Sequence, residues 1–292
     1  VRRLAARLAG LVVLLALIAW TAPSSAAPSA YRGYVDGPWG QIHYRVQGWE
    51  GQPTVILLHK MVWSSVEFEK AQPALAARGV RSIAVDLPGY GLSDGPDHEP
   101  TAAEYVDALL PVLDRFHIIK ANILGVHTGA SLAVAFGQHR PDRVARLIIE
   151  GPPLMDAKTL RALIQAPPVD RTPAPDGSHF ARRWAQIAAG LPKGSVSDAS
   201  MHQAVMQFFI AAPHDEYAHN AVFKYDLRAG LRALKAPVLL LTNPGDVLYP
   251  YAREAKAMRP DFSYVEVDWP GAQDAYDNPA GWAAAVAAYL KY

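Results

Sequence analysis

Asn122-Ile123-Leu124-Gly125-Val126-His127-Thr128-Gly129-Ala130-Ser131 is the stretch whose reading decides the fold. It starts as an apolar strand end, turns sharply between two glycines and enters an Ala/Val-rich helix. That is the strand–turn–helix context of a nucleophile elbow, which thrusts its middle residue out at the top of a parallel sheet. The glycines at 125 and 129 suit a turn too tightly packed for a Cβ. The exposed middle residue is His127, where a Ser, Cys or Asp is usual.

Working outward, residues 54–58 and 82–85 are short β-rich apolar runs, as expected of strands covered on both faces. Residues 31–35 and 41–46 form a hairpin around a Gly/Pro-rich turn. Residues 67–77 are expected to be helical. Thr101 caps a helix running to about 116, with Glu104 completing a capping box. The elbow strand at 121–124, its helix at 131–139 and a strand at 146–150 continue the alternation. Strand followed by helix in this order implies right-handed crossovers and a mostly parallel, twisted sheet with helices on both faces.

The rhythm breaks after Gly151-Pro152-Pro153. Residues 154–233 show helical patches (157–165, 179–190, 198–211, 215–223) and no buried strand, and they read as a helical cap inserted over the sheet. The sheet resumes at 237–242 and 263–267, with helices at 249–258 and 279–290. The expected divisions are a signal peptide at 1–26, core at 27–153, cap at 154–233 and core again at 234–292.

The 292 residues are 51% hydrophobic and 19% charged, with a net charge of +1 and no cysteine. Such a chain buries a large core. Its charge balance gives no reason to expect nucleic acid, and disulfides, thiolate catalysis and cysteine metal sites are excluded. No His/Asp/Glu spacing suggests a metal, and no Gly-rich loop fits a dinucleotide, so no cofactor is expected. Arg2, Arg3 and Arg7 precede an apolar run at 8–20 and small residues around Ser24-Ser25-Ala26. The run is short against the roughly 20 residues of a membrane span. It is expected to be a cleaved signal that sends a bacterial protein to the periplasm or outside the cell, with no membrane span left.

The order of parts, with Leu57-Leu58-His59, Asp86-Leu87-Pro88-Gly89-Tyr90-Gly91-Leu92-Ser93, Gly125-Val126-His127-Thr128-Gly129 and Pro141-Asp142-Arg143-Val144, resembles the α/β-hydrolase fold family from about residue 31 to the end. Capped members with these loops include epoxide hydrolases, haloalkane dehalogenases, esterases and ring-cleavage C–C hydrolases. The resemblance implies a nucleophile, an acid and a histidine in that order. Position by position these fall on His127, on Asp246 within Asn243-Pro244-Gly245-Asp246, and on Asp274 after Pro270-Gly271-Ala272-Gln273. It also implies an oxyanion hole from the backbone of Met61 and Thr128. Lys60 replaces a usual glycine beside His59, and both are assigned to oxyanion or substrate binding, Lys60 as a pocket cation.

An acyl-enzyme on a serine at the elbow is therefore excluded. A long imidazole on the elbow and short acids on the later loops leave a His127–Asp site, with Asp246, Asp274 or both as partner. Such a dyad acts as general base on water or an acidic substrate proton. Beside a structural or interaction protein with a collapsed pocket, two readings stand open. One is an exported, cofactor-free hydrolase for a small apolar ester, lactone or carbonyl compound held in a capped pocket. The other is a degenerate relative that only binds a small hydrophobic ligand. Asp86 and Ser93 are expected to hold their own loop, and His202, His214 and His219 to be cap residues.

Overall fold

The computed structural model describes residues 29–211 and 216–291. The segment read as a signal peptide, and His214, lie outside the described residues. The chain opens with the hairpin β1 (Ser29–Gly37) and β2 (Gly40–Gly48), then β3 (Thr54–Leu58). A 3₁₀ turn (Ser65–Phe68) and α1 (Ala71–Ala76) follow where one helix over 67–77 was expected. Pro73 accounts for the break: without an N–H it fits the first turn of a helix but not its interior. Next come β4 (Arg81–Val85) and α2 (Ala102–Arg115), whose Thr101/Glu104 capping box forms in both directions. The elbow joins β5 (Ala121–Val126) to α3 (Thr128–His139), and β6 (Val144–Glu150) closes this half.

Between β6 and the next strand the described residues are helical: α4 (Ala157–Ile164), α5 (Ser178–Ala189), α6 (Asp198–Ile210), α7 (Glu216–Lys224) and α8 (Leu227–Ala233). The last was not anticipated. Its cap explains it, since the Asp226 carboxylate accepts the Ala229 N–H. Then come β7 (Val238–Thr242), α9 (Tyr249–Met258), β8 (Ser263–Glu266), a single-turn α10 (Asp274–Asp277) and α11 (Pro279–Leu290).

The eight strands lie in the order β1-β2-β4-β3-β5-β6-β7-β8. β1 and β2 pair antiparallel, as do β2 and β4, and every later pair is parallel. Side chains alternate across the central strands, as the period of two requires. Ile56, Leu58, Ile123 and Leu240 pack on one face beneath α2, α3 and α8. Val55, Leu57, Leu124 and Leu241 pack on the other, against α1 and α11. Each such fully buried aliphatic side chain contributes roughly 1.5–3 kcal/mol relative to exposure. This two-sided burial holds the sheet rigid and leaves the C-terminal strand ends free to carry chemistry, as open α/β sheets do.

Candidate active site

The elbow is built by close backbone packing. A Cβ on Gly125 would lie 2.0 Å from the Gly129 carbonyl oxygen, and one on Gly129 would lie 2.1 Å from that of Leu58. Only glycine fits at either place, so strand, turn and helix lock together. His127 between them takes φ +47° and ψ −101°, a left-handed conformation that costs a non-glycine residue about 1–3 kcal/mol. Its N–H donates to the Glu150 carbonyl at 2.9 Å, which ties the turn to the end of β6.

The imidazole meets Asp246 from the loop after β7. His127 Nε2 lies 2.9 Å from Oδ1 and 3.0 Å from Oδ2. An ionised carboxylate only accepts, so Nε2 carries a hydrogen, and in the neutral ring Nδ1 then keeps its lone pair. Asp246 is itself fixed by the Leu248 N–H, which donates to Oδ1 at 2.8 Å. Burial works against its charge, but the adjoining His127 ring, the Leu248 N–H and the Lys60 ammonium hold its carboxyl below the usual range. Of the two acids expected to partner His127, Asp246 makes the contact.

Asp274 sits deeper, at the start of α10 and 3% exposed, and its hydrogen-bond partners are Glu150 and the Asn243 side chain. Glu150 ends β6, also 3% exposed, and accepts the Trp282 Nε1–H at 2.7 Å. Burial and the Asp274 charge push the Glu150 carboxyl well above its ordinary range, and burial raises Asp274 as well. The sequence reading took Glu150 only as a strand end. An acid closing a run as apolar as Leu147-Ile148-Ile149 was the available signal.

Lys60 is 7% exposed, and its ammonium bonds Glu67 at 2.7 Å while its own N–H donates to the other Glu67 oxygen at 2.9 Å. Burial disfavours the cation, yet the Glu67 charge and hydrogen bond hold its pKa above the ordinary value. Lys60 therefore lines the cavity as the cationic half of an ion pair with Glu67. His59 is corrected as a substrate-binding residue. It is wholly buried, with Nδ1–H donating to the Lys60 carbonyl and Nε2 accepting the Leu87 N–H, and burial lowers its pKa. Met61 and Thr128 lie side by side, the Met61 N–H 3.4 Å from the Thr128 hydroxyl.

Above His127 and Asp246 opens a cavity of about 350 Å³, with Met61, Trp63, Ile187, Leu191 and Gln273 in its walls. Gly151, at φ +57°, lies against the pair: a Cβ there would sit 2.5 Å from the His127 ring and 2.6 Å from Asp246 Oδ2. Asp86 holds its loop as expected, accepting N–H groups of Ser65 and Leu92. His202 lines a separate apolar groove between α5 and α6, and His219 stacks on Phe223. Among the described residues no cluster of three or more His, Asp or Glu could hold a metal, and no helix is long and apolar enough to cross a membrane.

The α/β-hydrolase fold family model matches residues 53–192. A 2-hydroxy-6-oxononadienedioate/2-hydroxy-6-oxononatrienedioate hydrolase of Paraburkholderia phymatum is 33% identical over 44% of this chain, which spans 46% of that relative's length. A haloalkane dehalogenase of Mycobacterium marinum is 26% identical over 72% of this chain and 65% of its own. The crystal structure of a hydrolase from Pseudomonas aeruginosa superposes with a TM-score of 0.74 at 19% identity, over 89% of this chain and 98% of that one. Element order, sheet topology and these matches make the chain an α/β-hydrolase-fold protein.

Proposed function

We propose that the chain is a hydrolase of small apolar esters or lactones that uses a His127–Asp246 dyad in place of a serine triad. The observation that carries this reading is the bond from His127 Nε2 to both Asp246 oxygens at the floor of an open pocket. With Nε2–H held by Asp246, Nδ1 takes a proton from water as the water oxygen attacks the carbonyl carbon. The carbonyl electron pair moves to oxygen, where the Met61 and Thr128 N–H groups, at the positive end of α3, are suited to stabilise it. Collapse expels the alkoxide, which takes the proton back from His127. Water and ester thus become acid and alcohol with no cofactor.

The apolar walls Trp63, Ile187, Leu191 and Val247 support a small apolar substrate, while Lys60, paired with Glu67, and Arg183 add polar groups to the same lining. Ile187 and Leu191 come from the helical segment after β6, which supports a roofing role for residues 154–233. The same reading places the mature protein outside the cytoplasm, which N-terminal sequencing of the secreted chain tests. The principal experiment is an ester and lactone panel with His127→Ala beside the unsubstituted protein. Turnover lost in the variant supports the dyad, and unchanged rates remove His127 from the mechanism. A second reading, ligand binding without turnover, draws on His127 bonding Asp246 while Asp274 is buried against Glu150. Its signature is thermal stabilisation by a ligand that is not consumed.

A further inference from the structure

Carboxyl groups outnumber cations around the elbow. Lys60 is bonded to Glu67, and Asp246 to His127. Glu150 and Asp274 bond each other, and the Asn243 side chain also bonds Asp274. Both are 3% exposed, one Glu150 oxygen takes the Trp282 N–H, and Asp274 Oδ2 has no partner. Two carboxylates have only acceptor oxygens, so a hydrogen bond between them needs a proton. Two buried like charges in direct contact do not both persist.

We propose that Glu150 and Asp274 share a single buried proton, and that this pair is a positioning device that leaves Asp246 as the ionised partner of His127. The second half rests on the reading of His127–Asp246 as the working dyad; the shared proton does not. Coupling to the dyad is short. The Glu150 carbonyl accepts the His127 N–H at 2.9 Å, and the Asp246 charge acts directly on Asp274. The groups facing the pair are Lys60 from the loop after β3, His127 from the elbow, Asp246 and Asn243 from the loop after β7, and Trp282 from α11. Loss of the proton adds a negative charge beside Asp246, which already has one.

The sign of the pH effect follows. The Glu150 carboxyl is raised in the folded protein, by burial first and Asp274 second. Between the unfolded value, about 4.3, and the folded one, the folded state binds one proton more. Stability is therefore full below the unfolded value and falls as pH rises towards the folded one. One proton changes the unfolding equilibrium constant by at most about tenfold per pH unit.

Urea unfolding of the unsubstituted protein, Glu150→Gln and Asp274→Asn from about pH 5 to 9 tests the proton without any substrate. The difference between Glu150→Gln and the unsubstituted protein should move in the variant's favour as pH rises, approaching that tenfold per unit, and Asp274→Asn should move the same way by less, since burial still raises Glu150 there. A difference constant with pH overturns the shared proton. The positioning role is read from the His127 ring by NMR. A second inflection, beyond the ring's own titration, should accompany loss of the pair's proton and vanish in Glu150→Gln. If unfolding responds and the ring does not, the proton stands and the positioning role fails. Neither readout depends on turnover, so a failed hydrolase reading remains separable.

Discussion

His127 Nε2 and the Asp246 carboxylate meet at 2.9 and 3.0 Å across 119 residues of chain. The carboxylate decides which ring nitrogen carries the hydrogen. Asp246→Asn reverses that choice, because an amide N–H donating to Nε2 forces the hydrogen onto Nδ1. Turnover of the best ester or lactone should fall by about 10²- to 10⁴-fold, the usual contribution of a general base. A kcat within a few-fold of the unsubstituted value would sink the tautomer argument. Asp246 also has a depressed pKa, so it contributes stability above its unfolded value that is lost as pH falls through the folded one. Acid unfolding of Asp246→Asn should be correspondingly less steep.

Gly151 should tolerate no side chain. Its φ of +57° disfavours a Cβ, and the added atom would lie 2.5 Å from the His127 ring. Gly151→Ala is expected to cost about 1–3 kcal/mol by crowding of a packed site and to separate His127 from Asp246. Calorimetry measures the first effect. A kcat that falls further than the same Tm loss produces in a remote core variant would report the second.

The fold was legible because its signals are local. Gly125 and Gly129 mark a turn that only glycine can pack, and runs such as Val55-Ile56-Leu57-Leu58 announce strands buried on two faces. His127 and Asp246 were legible because the fold assigns the ends of β5 and β7 to the same edge. Choosing Asp246 over Asp274 was not possible from sequence, since both loops converge there and the choice depends on side-chain reach. Glu150 and Glu67 were missed for a related reason. Their roles exist only through Asp274 and Lys60, partners that lie far along the chain or across an irregular loop. The pairing of Lys60 with Glu67 was not legible because a lysine in a loop says nothing of the carboxylate it will meet.

Lys60 and Glu67 form a buried pair, and such pairs respond asymmetrically to substitution. Glu67→Leu leaves an ammonium 7% exposed with its nearest counter-charge gone. Removing one partner of a buried pair typically costs about 3–5 kcal/mol. The double variant Lys60→Met, Glu67→Leu should recover much of that, because neither charge remains to be desolvated. Equilibrium denaturation of the two single variants and the double one closes the cycle. Additive losses would mean that the two side chains stabilise the loop independently.

Restoring a hydroxyl to the elbow should not by itself restore serine chemistry. In His127→Ser the Asp246 carboxylate, placed to meet the far end of an imidazole, is out of reach of the shorter side chain. Asp274, the acid that the final loop brings beside Asp246, is buried against Glu150. No base is then available to take the serine proton, and a fluorophosphonate probe should label neither the unsubstituted protein nor the single variant. His127→Ser with Asp274→His returns an imidazole to the last loop, beside Glu150 and close enough to Asp246 for either to orient it. Labelling should appear in that double variant alone. The larger ring in a packed site is expected to cost about 1–3 kcal/mol, so a melting curve must show the double variant folded. Labelling of the single variant, or none in a folded double one, would mean that the final loop does not present position 274 to the elbow.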